Sequence, residues 1–124
     1  MKLRAIAVMA VIALAGCASM GGSMPAKVDG GVFVNAAGMT LYTFDKDAAG
    51  SGKSVCNGQC AVLWPPLKSA AGDQPSGDWS VITRDDSSTQ WAYKGKPPYL
   101  WIKDQKPGDK TGDGVNKIWS LARP

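Results

Sequence analysis

Apolar residues along this chain gather in short clusters separated by Gly, Pro, Asp and Ser, not in long periodic stretches. The one long apolar run, Ala5 to Leu14, stands at the very start. From Val28 onward the clusters are of strand length and alternate in character. They predict strands at Val32–Val34, Met39–Phe44, Ala61–Trp64, Trp79–Thr83, Thr89–Tyr93, from Pro98 onward, and Lys117–Leu121. Side chains alternate in a strand, so Leu41 and Thr43 should face one way and Tyr42 and Phe44 the other. Asn35 to Gly38, Ala48 to Lys53, Arg84 to Ser88 and Gln105 to Asn116 read as turns or loops. Pro65-Pro66 should end sheet pairing or confine it to an edge. No segment after the first apolar run predicts a helix.

The clusters repeat. Tyr42, Phe44 and Asp47 in LYTFDKD correspond to Tyr99, Trp101 and Asp104 in PYLWIKD, an offset of 57 residues. A Gly precedes each Tyr by four places, Gly38 and Gly95. The expectation is an all-β fold: one small domain of two tandem three- to four-stranded β repeats, packed about a pseudo-twofold axis. Repeat one covers 28–68 and repeat two 78–124, with Ser69 to Gly77 as the linker. Neither half carries enough apolar surface to be stable by itself. Trp119 falls near Trp64 in the repeat, and the aromatics should fill a shared core.

Composition sharpens this picture. Fifteen Gly, eight Pro and acids that are all Asp suit short strands joined by tight turns. The absence of His removes the usual general base and the usual metal ligand. Ser residues have no base beside them, and the Gly-rich pieces lack phosphate-loop spacing. The expectation is therefore no enzymatic activity and no cofactor. A net charge of +4, falling to +2 without Lys2 and Arg4, is dispersed among Asp residues and argues against nucleic acid.

Residues 1–16 have the basic start and ten-residue apolar core of a secretory leader, too short to span a bilayer. The leader ends in Leu14-Ala15-Gly16-Cys17, which resembles a bacterial lipobox. That resemblance implies cleavage before Cys17 and lipidation of it, hence attachment to a membrane. The absence of Asp at position 18 implies, by the same resemblance, the periplasmic face of an outer membrane. Residues 17–27 then form the lipidated Cys and a flexible tether able to hold the domain about 15–20 Å from the surface. Three Cys is an odd number for an exported chain; with Cys17 acylated, Cys56 and Cys60 remain as a disulfide pair.

Three constellations invite a chemical reading. The Tyr–aromatic–Asp motif makes either an aromatic platform with an acidic rim, or core aromatics with an Asp that holds the following loop. A pattern recurring at matched repeat positions is what packing alone would give, which favours the core. Cys56 and Cys60 make either a structural staple or a thiol–disulfide redox couple. Their spacing of three, rather than two, favours the staple. Asp109, Thr111 and Asp113, followed by Gly114, resemble the opening of a calcium loop. Its twelfth place is Ser120, not Glu, so an Asp/Gly turn is the simpler account.

The stretches GMTLYTFDKD, CAVLWPPL, QWAYKGKPPYLWIKD and PGDKTGDGVNKIWSLARP together resemble the bacterial predicted lipoproteins with a Yx(FWY)xxD motif. These are also described as secreted repeats of unknown function. The resemblance spans Val32 to Pro124 and departs at Pro98, where an apolar residue such as Leu is more usual. It implies an exported, lipid-anchored two-repeat β domain and assigns no activity. A monomer with an envelope protein or glycan as partner is the remaining expectation, beside redox or divalent-ion binding as alternatives.

Overall fold

A computed structural model describes residues 24–70 and 72–124. The leader, Cys17 and the tether through residue 23 lie outside the described residues. The fold is mostly β: β1 (Lys27–Asp29), β2 (Val32–Val34), β3 (Tyr42–Phe44), α1 (Gln59–Leu63), β4 (Trp79–Thr83), β5 (Thr89–Tyr93), β6 (Pro98–Tyr99) and β7 (Trp119–Leu121). A short 3-10 turn, Val115–Lys117, precedes β7.

Two antiparallel hairpins, β1–β2 and β4–β5, head the two copies. The sheet that joins the copies has the order β6–β3–β7 and is antiparallel throughout. Its centre is the pair Tyr42↔Tyr99, each motif Tyr lying opposite its own counterpart. The closing segments are exchanged. β7 of copy two pairs with β3 of copy one, aligning Tyr42 with Leu121 and Phe44 with Trp119. Residues 63–67 of copy one run beside the motif strand of copy two. Leu67 N–H donates to Pro98 O, Leu100 N–H to Pro65 O, and Ile102 N–H to Leu63 O. Matching bonds in the other half run from Ala122 N–H to Leu41 O and from Asp45 N–H to Ile118 O. Trp64 and Trp119 are thus equivalents, and the pseudo-twofold axis passes between β3 and β6.

Strand alternation divides the core in two. Tyr42 and Phe44 enter a cluster with Cys56, Trp64, Tyr99 and Trp119, while Leu41 joins Phe33, Trp79 and Trp91 on the other side. A single shared aromatic core was the expectation; the sheet running through the middle separates it into these layers. In the first layer four rings stack in the order Trp101, Trp64, Trp119, Phe44. Successive centroids are 3.9, 3.7 and 4.4 Å apart, with planes within 24°. The stack alternates between copies and reads the same from either end.

Two elements differ from the sequence expectation. Ala61–Trp64 is not a strand: α1 occupies Gln59–Leu63, and Trp64 N–H closes it on Cys60 O. A four-residue apolar run carries no period that separates strand from helix, and the Cys56–Cys60 bridge with Gly58 at φ 58° winds the chain just ahead. Pairing resumes at its last residue, Leu63, and continues along an edge where the two prolines need donate nothing. Lys27, placed in the tether, instead begins β1 opposite Val34, and Ala26 is buried. The side chains of β1 are all exposed, so no alternation marks it.

Gly95 fixes how the second hairpin meets the first copy. It has φ +84°, and a Cβ there would lie 2.4 Å from Gly50 N. Because the closing segments are exchanged, residues 26–68 expressed alone should lack near-ultraviolet circular dichroism and a cooperative denaturation transition. Mixing them with residues 72–124 should restore both. A cooperative transition in either half by itself would contradict the exchange.

Candidate functional site

The motif residues meet at the pseudo-twofold axis, where Tyr42 and Tyr99 are both fully buried. Their pairing follows from the strand register. Antiparallel β3 and β6 send each phenol past the axis, into the loop that follows the partner motif. Tyr42 Oη donates to Asp104 Oδ2 at 2.5 Å. Tyr99 Oη donates to Asp47 Oδ2. Each Tyr therefore takes the Asp of the other copy.

Each Asp also ties down its own loop. Asp47 Oδ1 accepts from Val55 N–H at 2.7 Å. Asp104 Oδ1 accepts from Thr111 N–H at 3.0 Å and from Thr111 Oγ1 at 2.6 Å. Each phenol accepts one further bond. Gly112 N–H donates to Tyr42 Oη at 3.2 Å, and the Ser54 hydroxyl lies against Tyr99 Oη. A Cβ on Gly112 would come within 2.9 Å of both Tyr42 and Trp64, so only glycine lets this backbone reach the ring.

In copy one the network continues to a charge. Arg84, 4% exposed, donates through Nη1 to Ser54 Oγ at 2.9 Å and to Gln90 Oε1 at 2.6 Å, and through Nη2 to Cys56 O. Gln90, fully buried, passes its amide to Pro98 O at 2.7 Å. The sequence reading missed Ser54, Arg84 and Gln90. Ser54 had a signal: it follows Asp47 by seven residues, as Thr111 follows Asp104. Arg84 and Gln90 had none, since their burial depends on the β4–β5 hairpin folding over the Cys56 loop.

Cys56 and Cys60 are joined as a disulfide, with Cα atoms 5.1 Å apart and Cys56 fully buried. The bridge holds the Cys56 carbonyl where Arg84 needs an acceptor. The calcium-loop candidates do not converge. Asp109 accepts from Gln105 N–H and Lys106 N–H and pairs with Lys106 Nζ at 2.9 Å. The Thr111 hydroxyl turns to Asp104. Asp113 is exposed, and Ser120 lies in β7. Among the described residues no three His, Cys, Asp or Glu side chains are grouped to hold a metal.

This two-copy arrangement agrees with comparison to known sequences. The profile described as secreted repeat of unknown function matches residues 26–68 and 80–123. The chain belongs to that family. No curated protein and no solved structure matches it.

Family membership leaves the chemistry to the geometry. Burial, then the hydrogen bond to a carboxylate, pushes the ionisation of both Tyr42 and Tyr99 far above the ordinary 10.0. The folded state thus holds two protons that the unfolded chain releases near pH 10. Stability from these phenols is complete below that pH and falls as pH rises above it. In an alkaline titration, the 295 nm absorbance of these two phenolates should appear together with loss of near-ultraviolet dichroism, not before it. Tyr42→Phe leaves the buried Asp104 without one donor and should cost about 1.5–3 kcal/mol in urea unfolding. A loss within about 0.5 kcal/mol would contradict the role given to this bond.

Proposed function

We propose that the protein is a non-catalytic module of the cell envelope, anchored to membrane through lipid on Cys17, whose duplicated motif keeps a small exported domain folded. One observation carries the reading. Both Tyr hydroxyls and both Asp carboxylates of the motif are engaged with each other and with local loops inside the protein. Nothing in that arrangement presents a reactive group to a substrate. Membership of a secreted repeat family supports export, and a disulfide suits an oxidising compartment.

The anchor rests on the lipobox-like Leu14-Ala15-Gly16-Cys17 and on the odd Cys left once Cys56 and Cys60 are paired. Several acyl chains hold a protein to a membrane far more firmly than one. The residue after Cys17 is Ala18, not Asp, which favours delivery to the inner leaflet of an outer membrane. The buried Cys56 side, whose carbonyl is held by Arg84, and the three-residue spacing favour a structural disulfide over a redox couple, with Cys60 the partly exposed end of the bridge.

Growth with an alkyne-bearing fatty acid tests the anchor. The wild-type chain should take up the label and sediment with outer-membrane fragments. Cys17→Ser should lose the label and appear in the soluble periplasmic fraction. Equal fractionation of the two chains without label would remove the anchor from the proposal.

A further inference from the structure

Where the copies match, the shared residues build the axis; where they differ, packing symmetry imposes nothing. One such departure lies at the turn after β5. Copy one has Ala37 and Met39 around Gly38, and copy two has Lys94 and Lys96 around Gly95. The two lysines border a cleft of about 390 Å³, together with Arg123 near the end of the exchanged segment. Tyr93, Thr43 and Leu121 form part of its wall. This volume is in the range of small-molecule sites.

No acidic side chain lines the cleft, whose wall also includes the last residue, Pro124. Among the described residues the ion pair is Lys106–Asp109, so none of the three cations is neutralised by a carboxylate there. Lys96 Nζ donates to Phe44 O at 3.2 Å, and Arg123 Nη1 reaches Gly31 O at 3.5 Å. These carbonyl contacts orient the cations and leave further donors on each head group.

Lys94 has φ 49° and Gly95 has φ 84°, with reciprocal bonds between Tyr93 and Lys96. That is a tight hairpin turn whose first central position favours Asn, Asp or Gly. A Lys there is a poor choice for the turn and places an ammonium on the cleft rim, 5.5 Å from the Tyr93 ring centroid. Local strain of this kind often marks positions kept for something other than folding.

We propose that this cleft is a binding site for a phosphate-bearing ligand, with Lys94, Lys96 and Arg123 receiving the phosphate charge and Tyr93 and Leu121 supporting its uncharged part. The guanidinium supplies a bidentate fork and the lysines point charges, a usual division for phosphate recognition. The phosphate could belong to a lipid headgroup or to a soluble molecule. This inference deepens the reading of a non-catalytic module but does not use Cys17, so the two can fail separately.

The test titrates the full-length chain carrying Cys17→Ser with inorganic pyrophosphate by calorimetry, and with phosphatidylglycerol or phosphatidylcholine vesicles by flotation. Each measurement is repeated with Lys94→Asn/Arg123→Ala added, and with Lys103→Ala as an exposed control. Asn suits the left-handed turn, so the double variant should keep its near-ultraviolet dichroism. It should bind pyrophosphate at least about tenfold more weakly, whereas Lys103→Ala should bind as the parent does. If binding to phosphatidylglycerol falls in parallel, the source is a headgroup; if only pyrophosphate binding falls, the source is soluble. If neither pyrophosphate nor phosphatidylglycerol binding falls in the folded double variant, the proposal is overturned.

Discussion

The structure depends on a reciprocal exchange across one axis: each motif tyrosine donates its hydroxyl hydrogen bond to the aspartate of the other copy. A phenol buried without a partner destabilises a domain by an amount comparable to a whole hydrogen bond. Here each phenol finds its acceptor only if both copies are present and correctly opposed. The backbone repeats the arrangement, since β7 pairs with β3 and residues 63–67 pair with the strand that holds Tyr99. Side chains and main chain thus impose the same interdigitation. Each half supplies what the other lacks.

The aromatic stack expresses the same constraint in apolar terms. Trp64 lies between Trp101 and Trp119, both from copy two, while Phe44 of copy one stacks on Trp119. Tyr42 and Tyr99 lie nearly perpendicular to Trp64 and Trp119, with ring centroids 5.5 and 5.3 Å apart. Stacked and edge-to-face pairs each add about 0.5–1.5 kcal/mol beyond simple burial. A domain this small has few other means of making a core. That accounts for the density of Trp and Tyr at matched positions.

Symmetry is broken on one side by charge. In copy two the donors around the Tyr42–Asp104 pair come from the backbone and from Thr111. In copy one Ser54 stands between Tyr99 and the buried guanidinium of Arg84. Arg84 finds neutral acceptors in Gln90 and Cys56 O, with the Asp47 carboxylate at the far end of the same chain of bonds. Fixing the Cys56 carbonyl by a five-residue disulfide loop makes that site rigid. A buried cation tolerates little slack, because its desolvation must be matched by well-placed acceptors. The disulfide thus closes the loop that presents the Cys56 carbonyl to Arg84.

Much of this was legible in the residues alone. The duplication, the β character, the turn at Gly38, the Cys56–Cys60 bridge and the holding of a loop by each Asp follow from spacing and local stereochemistry. These are short-range matters, and a repeat records them twice. What spacing could not decide was which copy supplies the partner. A Tyr bonded to its own Asp and one bonded to its twin's produce the same repeat, since both constraints act on the same residue types. Only the antiparallel crossing of β3 and β6 selects between them. The same holds for α1, wound by a bridge and a glycine where four apolar residues read equally as strand, and for Arg84, whose burial comes from a hairpin distant in sequence. Local chemistry specified the pieces, and long-range register specified whom each piece serves.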